Sequence, residues 1–137
     1  MIYLLDTNAC IALINGTPAL IRSRFQKALR GSGQICVSSV VTFELWYGVA
    51  KSKRVVLNTQ RLETFLSGPV TVLAFEDEDS RTAGAIRAEL ELSGKPTGAY
   101  DVLIAGQALA RQLTLVTANV SEFSRVKGLL WQDWAKP

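Results

Sequence analysis

The 137-residue sequence contains no histidine. This absence excludes Ser-His-Asp and Cys-His catalysis, RNA cleavage by a pair of histidines, and every zinc site with a histidine ligand. Any acid–base chemistry must therefore come from carboxylates, lysines, tyrosines or water bound to a metal ion.

Cysteine is nearly as rare, since Cys10 and Cys36 are the only two and no C-x-x-C pair occurs. Four thiolate ligands for a structural zinc are therefore not present. We interpret both cysteines as small core residues in a reducing compartment, rather than as a disulfide or a reactive thiol. No apolar run approaches the roughly 18 residues of a membrane span, and the opening MIYLLD lacks a basic signal segment. We therefore expect a cytoplasmic protein with no membrane partner.

The length and composition of the chain favour a single folded domain spanning 1–137. Hydrophobic residues make up 48% and charged residues 20% of the chain, which is enough to bury a core. The net charge of +3 is compatible with a nucleic-acid partner but does not indicate one by itself. Neither G-x-G-x-x-G nor a P-loop motif occurs, which weighs against nucleotide-cofactor folds.

Hydrophobic periodicity predicts strands that alternate with helices. Strands are predicted at 1–5, 35–39, 70–75 and 113–117, with a fifth, edge strand at 128–131. A first helix is predicted after residues 7 and 8, through 11–14, and further helices at 19–29, 40–51, 55–66, 76–93, 101–109 and, as a short turn, 121–126. Thr7 and Asn8 are expected to cap the first helix. The alternation predicts a three-layer α/β/α domain whose mostly parallel central sheet has four to five strands.

Four acidic side chains fall where such a sheet forms ligand sites, outside the carboxyl ends of its strands. Asp6 ends the first strand, and Glu44 lies near the start of the helix after the second strand. Asp101 begins the helix before the fourth strand. Glu122 and Asn119 follow the fourth strand. Two carboxylates ~4 Å apart repel by about 4 kcal/mol at an effective dielectric near 20. A divalent cation reverses this repulsion, and all-oxygen ligands favour Mg²⁺ or Mn²⁺ over zinc.

Each of these residues taken alone has a structural interpretation. Asp6 and Asp101 are suited to cap helices, Glu44 in the apolar run FELWY is suited to face solvent, and Asn119 and Glu122 are ordinary loop or capping residues. Their common placement at one edge of the sheet is what favours a metal site.

Two other groups of residues are better explained by the fold than by function. The acidic run 76–79 occupies the first turn of a helix, where the helix dipole favours negative charge. Phe43, Trp46 and Tyr47 share one helix face, and we expect core packing there, with a partner-binding patch as the alternative.

Three basic residues and two tryptophans remain open to more than one interpretation. Arg87, Lys95 and Arg111 flank the loop before residue 101, where they are placed either to meet phosphates or to form a solvated face. Trp131 and Trp134, near the C-terminus, are expected to pack over the edge of the sheet.

Four segments together cover nearly the whole chain and resemble the PIN-domain ribonucleases, in particular the VapC-type toxins of toxin–antitoxin pairs. They are YLLDTNACIALI at 3–14, SSVVTFELWYGVAKS at 38–52, IRAELELSGKPTGAYDVLIAGQALA at 86–110 and LVTANVSEFSRVKGL at 115–129. The resemblance implies a PIN-like fold and assigns the family's first three acids to Asp6, Glu44 and Asp101. Many PIN domains have a fourth acid, an aspartate, two residues after the strand-four threonine. Here that position is Asn119, and Glu122 is the expected substitute.

The resemblance also implies supporting residues, a cofactor and partners. Thr7, Asn8 and Thr117, with Asn119, match polar positions of the family's pocket. The implied activity is an Mg²⁺-dependent endoribonuclease, with Mn²⁺ as the alternative metal. It would cleave structured RNA, with tRNA as the substrate class, through metal-activated water. The implied protein partners are a VapB-type antitoxin, which would lay a helix in an apolar groove and insert a basic residue among the acids, and a second copy of the chain.

Two alternatives belong to other functional classes. One is a metal-dependent phosphatase or nuclease that acts on another substrate such as DNA, although Asp6-Thr7-Asn8 lacks the second acid of a D-x-D phosphatase. The other is a catalytically inactive PIN-fold binding module, against which the intact set of Asp6, Glu44 and Asp101 argues.

Overall fold

Five short parallel strands form one central sheet in the computed structural model, which describes residues 1–137. The strand order is β3-β2-β1-β4-β5, so β1 lies in the middle. The predicted α/β/α architecture is therefore confirmed, with five strands. Their bounds are β1 Ile2–Leu5, β2 Gln34–Ser38, β3 Thr71–Leu73, β4 Thr114–Val116 and β5 Leu130–Gln132.

Seven helices connect the strands and cover the two faces of the sheet. None of them combines the length and the apolarity that crossing a lipid bilayer requires. The bounds are α1 Thr7–Asn15, α2 Ala19–Arg30, α3 Ser39–Ala50, α4 Val55–Leu66, α5 Asp77–Leu92, α6 Ala99–Ala110 and α7 Val120–Phe123. The bounds of α4 agree with the prediction, and those of most other helices differ by one or two residues at an end.

The core forms where the buried strands meet the helices on both faces. Leu4 of β1 lies between Cys36 of β2 and Leu115 of β4 in the sheet register, and all three are buried. They belong to one cluster of 24 buried hydrophobic residues. Cys10 is buried in the same cluster, and both cysteines are free thiols, as predicted.

The cap of α1 differs from the prediction. Asp6, not Thr7 or Asn8, is the N-cap, because Asp6 has an extended backbone and Thr7 is already helical. The Asp6 Oδ1 accepts a hydrogen bond of 2.8 Å from the Ala9 backbone N–H. Asp6 therefore combines a structural role with its position at the end of β1.

The expected core packing of the α3 aromatics is wrong. Phe43, Trp46 and Tyr47 are 54%, 39% and 58% exposed. The buried face of α3 is formed by Val41 and Leu45, four residues apart, and the three rings point away from it. The alternative of a partner-binding patch remains open.

The acidic first turn of α5 is structural, as predicted. Glu76 is the N-cap and forms a capping box with Asp79, whose carboxylate also binds Arg111 through Nε at 3.1 Å and Nη2 at 2.7 Å. Arg111 is thereby held by Asp79, and Arg87 pairs with Glu91 at 3.0 Å. Neither arginine supports the phosphate-contact interpretation.

The C-terminal tryptophans lie at the β5 side of the sheet. Trp134 is buried and packs edge-on against Tyr3, with ring centroids 5.1 Å apart. Trp131, within β5, stays 38% exposed. The expected packing therefore holds fully only for Trp134.

Candidate active site

The sheet order brings the predicted site elements to one edge. Because β1 lies between β2 and β4, the segments that follow these three strands are neighbours at their carboxyl ends. Asp6 follows β1 directly, Glu44 lies in α3 after β2, and Glu122 lies in α7 after β4. Asp101, the third residue of α6 after the N-cap Gly98, joins them because α6 runs back along the sheet and begins at this edge.

Asp6 is the most deeply buried of the four acids, with 4% of its surface exposed. Burial raises the pKa of its carboxyl group, and the nearby Thr117 hydroxyl and the hydrogen bond from the Ala9 N–H only partly offset this. The negative charges of Glu44 and Asp133 raise the same pKa further. Asp6 therefore lies in a buried and strongly negative environment.

Glu44 is joined to the start of α1 by a side-chain hydrogen bond. The Thr7 hydroxyl donates to the Glu44 Oε1 at 2.8 Å, which fixes the carboxylate of α3 next to the residue after Asp6. Thr7 thus contacts one of the four predicted acids. Asn8 is exposed, and its side chain makes no hydrogen bond to any site residue, so the structure adds no contact in support of its expected role.

Asp101, Glu122 and Asn119 form a connected group on the other side of Asp6. Burial and a hydrogen bond with Glu122, together with the charges of Glu122, Asp6 and Glu44, raise the pKa of Asp101 to about 6. The Asn119 side chain donates from Nδ2 to the Glu122 Oε2 at 3.1 Å. Its backbone N–H donates to the Thr117 Oγ1 at 2.9 Å. Glu122 thus faces Asp101, while Asn119 contacts Glu122.

No basic side chain neutralises this group of acids. The two ion pairs of the structure, Arg87–Glu91 and Arg111–Asp79, lie elsewhere. The donors are all carboxylate and hydroxyl oxygens, which suit Mg²⁺ or Mn²⁺. In the present side-chain conformations no three acids converge closely enough to hold one cation together. The donor chemistry fits a divalent cation, and the carboxylates would have to move closer together to hold one jointly.

Asp133 is an acidic residue near Asp6 that the sequence analysis did not single out. It immediately follows β5 and lies near enough to Asp6 to raise the pKa of Asp6 by its charge. A sequence signal existed, because Asp6 was found by its position directly after a strand. The edge strand was predicted to end at residue 131 instead of Gln132, so Asp133 was not recognised as the residue that follows it.

Comparison with known families assigns the fold. The PIN domain profile matches residues 3–129. This chain belongs to the PIN-domain family. Among its relatives is the tRNA(fMet)-specific endonuclease VapC of Shigella flexneri, 42% identical over 133 residues that cover 97% of this chain and 98% of the relative. Another is Ribonuclease VapC2 of Rickettsia felis, 40% identical over 99% of this chain and 100% of the relative. The resemblance to VapC-type ribonucleases is confirmed, and this PIN domain is a nuclease of that type.

Solved structures agree with this assignment. VapBC2 from Rickettsia felis, bound to a DNA fragment from the promoter, contains a chain that superimposes with a TM-score of 0.90 at 37% identity, covering 96% of this chain and 98% of that one. DNA-bound VapBC from Salmonella typhimurium gives a TM-score of 0.89 at 40% identity and 98% coverage of both chains. The PIN-like fold predicted from the sequence is therefore confirmed.

Proposed function

We propose that this PIN domain is the toxin of a toxin–antitoxin pair and that it cleaves structured RNA, with tRNA as its substrate class, as a divalent-cation-dependent endoribonuclease. The observation that carries the proposal is the meeting of Asp6, Glu44, Asp101 and Glu122 at one sheet edge without a basic partner. The relative named as a tRNA(fMet)-specific endonuclease supports the substrate class.

In this proposal the four acids have two roles. Asp6 and Asp101 hold the cation directly, and Glu44 and Glu122 complete the site or act through water. A bound Mg²⁺ or Mn²⁺ would supply Lewis-acid chemistry there, lowering the pKa of the attacking water and stabilising negative charge on the departing oxygen of the phosphodiester. Asp101 must lose its proton before it can bind a cation, and its pKa of about 6 leaves it mostly ionised at neutral pH.

Hydroxyl groups keep two of these carboxylates in place. The Thr7 hydroxyl donates to Glu44 at 2.8 Å, and the Thr117 hydroxyl lies close enough to Asp6 to lower the pKa of its carboxyl group. Each contact restricts a rotational freedom that the side chain would otherwise lose on binding the cation. We therefore assign Thr7 and Thr117 as positioning residues of the active site.

An apolar groove next to Glu44 suits a VapB-type antitoxin. It lies among α1, α3 and α4 and encloses about 270 Å³. Glu44 lies in its wall, so a helix bound there could place a basic side chain against the acids. Relatives of known structure occur in VapBC complexes, which supports this partner. The apolar side chains that line the groove are Ile11, Ile14, Leu45, Val49 and Leu62.

We further propose that residues 1–137 act as a single PIN domain, as a homodimer, in the cytoplasm. One sheet and one core cluster support the single domain. Two buried free thiols suit a reducing compartment. The exposed aromatic face formed by Phe43, Trp46 and Tyr47 offers apolar surface for a second copy.

The test is RNA cleavage by the purified chain. Total tRNA is incubated with the protein in Mg²⁺ or in EDTA, and new RNA 5′ ends are sequenced. We expect cleavage at defined positions in Mg²⁺ only, and its loss in Asp6→Asn and Asp101→Asn. Glu63→Gln, which removes an exposed charge from α4, is the matched control and should remain active.

Metal binding and toxicity complete the test. Calorimetric titration should show weaker Mg²⁺ binding by Asp6→Asn and Asp101→Asn, and expression without a partner should arrest growth. Wild-type metal affinity in both variants would contradict the metal assignment. Cleavage of DNA but not RNA, or unimpaired growth with folded protein present, would contradict the proposed function.

A further inference from the structure

One carboxylate beside the four predicted acids has a buried oxygen without any partner. Asp133 follows the last residue of β5, Gln132, whose carbonyl oxygen accepts a hydrogen bond from the Thr117 N–H at 3.0 Å. Val116, the residue before Thr117, accepts a hydrogen bond of 3.1 Å at its carbonyl oxygen from the Asp6 N–H. The β4–β5 ladder therefore places Asp133 beside Asp6 at the same carboxyl edge of the sheet.

The two oxygens of Asp133 differ in their surroundings. Oδ1 accepts a hydrogen bond of 2.9 Å from the Ala135 N–H, which closes a turn after β5. Oδ2 is buried and has no hydrogen-bond partner. A buried carboxylate oxygen without a partner is costly, and native proteins rarely leave one so.

The environment of Asp133 supplies no protein cation. Neither Asp133 nor Asp6 takes part in an ion pair. The negative charge of Asp133 instead acts on the carboxyl group of Asp6, which is itself buried. Asp6 is buried, Asp133 is half-buried with its Oδ2 enclosed, and neither has a lysine or arginine partner, so a divalent cation with its water shell is the partner that would satisfy both.

We propose that Asp133 is a positioning residue of the metal centre, whose free Oδ2 accepts a hydrogen bond from the water shell of the divalent cation that Asp6 holds. This rests on the proposed metal-dependent function of the same site. Oδ1 remains committed to the turn, so Asp133 acts on the cation through water and not as a direct ligand. Its charge adds to the attraction for the cation, and it is compensated only when the cation is bound.

The proposal predicts opposite effects on stability and on metal binding. Asp133→Asn keeps the Oδ1 acceptor for Ala135 but removes the buried charge. In EDTA this variant should melt at the same temperature as the wild type or higher, because repulsion with Asp6 is relieved. With Mn²⁺ it should gain less in melting temperature than the wild type does. Mn²⁺ affinity, measured by the electron paramagnetic resonance signal of free Mn²⁺, should fall about tenfold.

Two further variants complete the experiment. Asp133→Ser keeps a short acceptor for the turn without the charge, and should reproduce the loss of Mn²⁺ affinity if Asp133→Asn folds poorly. Glu63→Gln removes an exposed charge remote from this turn and should leave both measurements unchanged.

The outcomes separate this proposal from the proposed function. Unchanged Mn²⁺ affinity in folded Asp133→Asn and Asp133→Ser overturns the role of Asp133, while the wild-type metal site stands. A lower melting temperature in EDTA with unchanged affinity shows that Asp133 only closes the turn, and also overturns it. If the wild type itself binds no Mn²⁺, the metal-dependent function fails and this proposal fails with it.

Discussion

The carboxyl group of Glu122 lies close enough to that of Asp101 to raise its pKa, although 21 positions separate the two residues in the sequence. This proximity joins the start of α6 to α7. Burial is the largest cause of the pKa of about 6 at Asp101, and Glu122 makes the largest contribution of any other residue. Two carboxyl groups held close together favour the state in which one of them carries a proton. The metal-free site is therefore under electrostatic strain that ionisation increases.

The stability of the metal-free protein should depend on pH through Asp101. Its pKa rises from 3.8 to about 6 on folding, so protonation favours the folded state. The resulting stability is fully present below about pH 4 and is lost as the pH rises through about 6. We expect the melting temperature in EDTA to fall between pH 4 and pH 6.5 in the wild type, and to fall less in Asp101→Asn. Parallel curves for the two proteins would contradict the shifted pKa.

Glu122 should contribute more to catalysis than Asn119. Glu122→Gln keeps size and hydrogen bonding but removes the charge that faces Asp101, so cleavage should fall at least about tenfold, or about 1.4 kcal/mol of transition-state stabilisation. Asn119→Ala loses only the support of Glu122 and should have a smaller effect. Circular dichroism should show an unchanged fold. Full activity of Glu122→Gln at limiting Mg²⁺, with Asn119→Ala inactive, would reverse the assignment.

The ion pair between Asp79 and Arg111 should stabilise the fold measurably. Asp79 is 1% exposed, and Arg111→Met would leave its charge buried without an ion-pair partner, with only the Glu76 backbone N–H donating to it. Because the Arg111 side chain is 28% exposed, we expect a loss of about 2–3 kcal/mol in the free energy of unfolding, at or below the lower end for fully buried pairs. Arg87→Met, which breaks the exposed pair with Glu91, should cost under about 0.5 kcal/mol in the same urea denaturation. Equal losses would show that burial of Asp79 does not matter.

Because α5 and α6 pack closely, replacing Gly106 should destabilise the fold. A Cβ added at Gly106 would lie 2.5 Å from the Ala83 Cβ, so Gly106→Ala must push the two helices apart. We expect a loss of about 1–3 kcal/mol in the free energy of unfolding. Gly84→Ala in α5 meets no atom within 4 Å and should be neutral or stabilising by up to about 1 kcal/mol. A similar effect of both changes on the melting temperature would argue against the close contact.

The sequence by itself determined the type and order of the elements, because these depend on local chemistry. The spacing of apolar residues predicts α4 at Val55–Leu66 with its observed bounds, and the acids in the first turn of α5 mark that helix start. The positions of Asp6 and Glu122 after their strands follow from the same local pattern. Four acids near one edge could therefore be expected before any contact was known.

The tertiary structure alone decided which side chains meet. Arg111 is a surface cation by its sequence context, and it is held by Asp79 because the end of α6 lies beside the start of α5. The rings of α3 have the spacing of a packed face, yet Phe43 is exposed because Val41 and Leu45 face the sheet instead. Such contacts join residues far apart in the chain, so no local pattern records them.

The electrostatics of the site also depend on the tertiary structure. The pKa of Asp101 depends on burial and on the charges of Glu122, Asp6 and Glu44, which come from three other elements. Likewise, the Asp133 Oδ2 is buried without a hydrogen-bond partner only in the folded chain, in which β5 pairs with β4. A sequence can state which residues carry charge, but the free energy of each charge depends on the distance and the solvent between groups, and only the folded chain determines these.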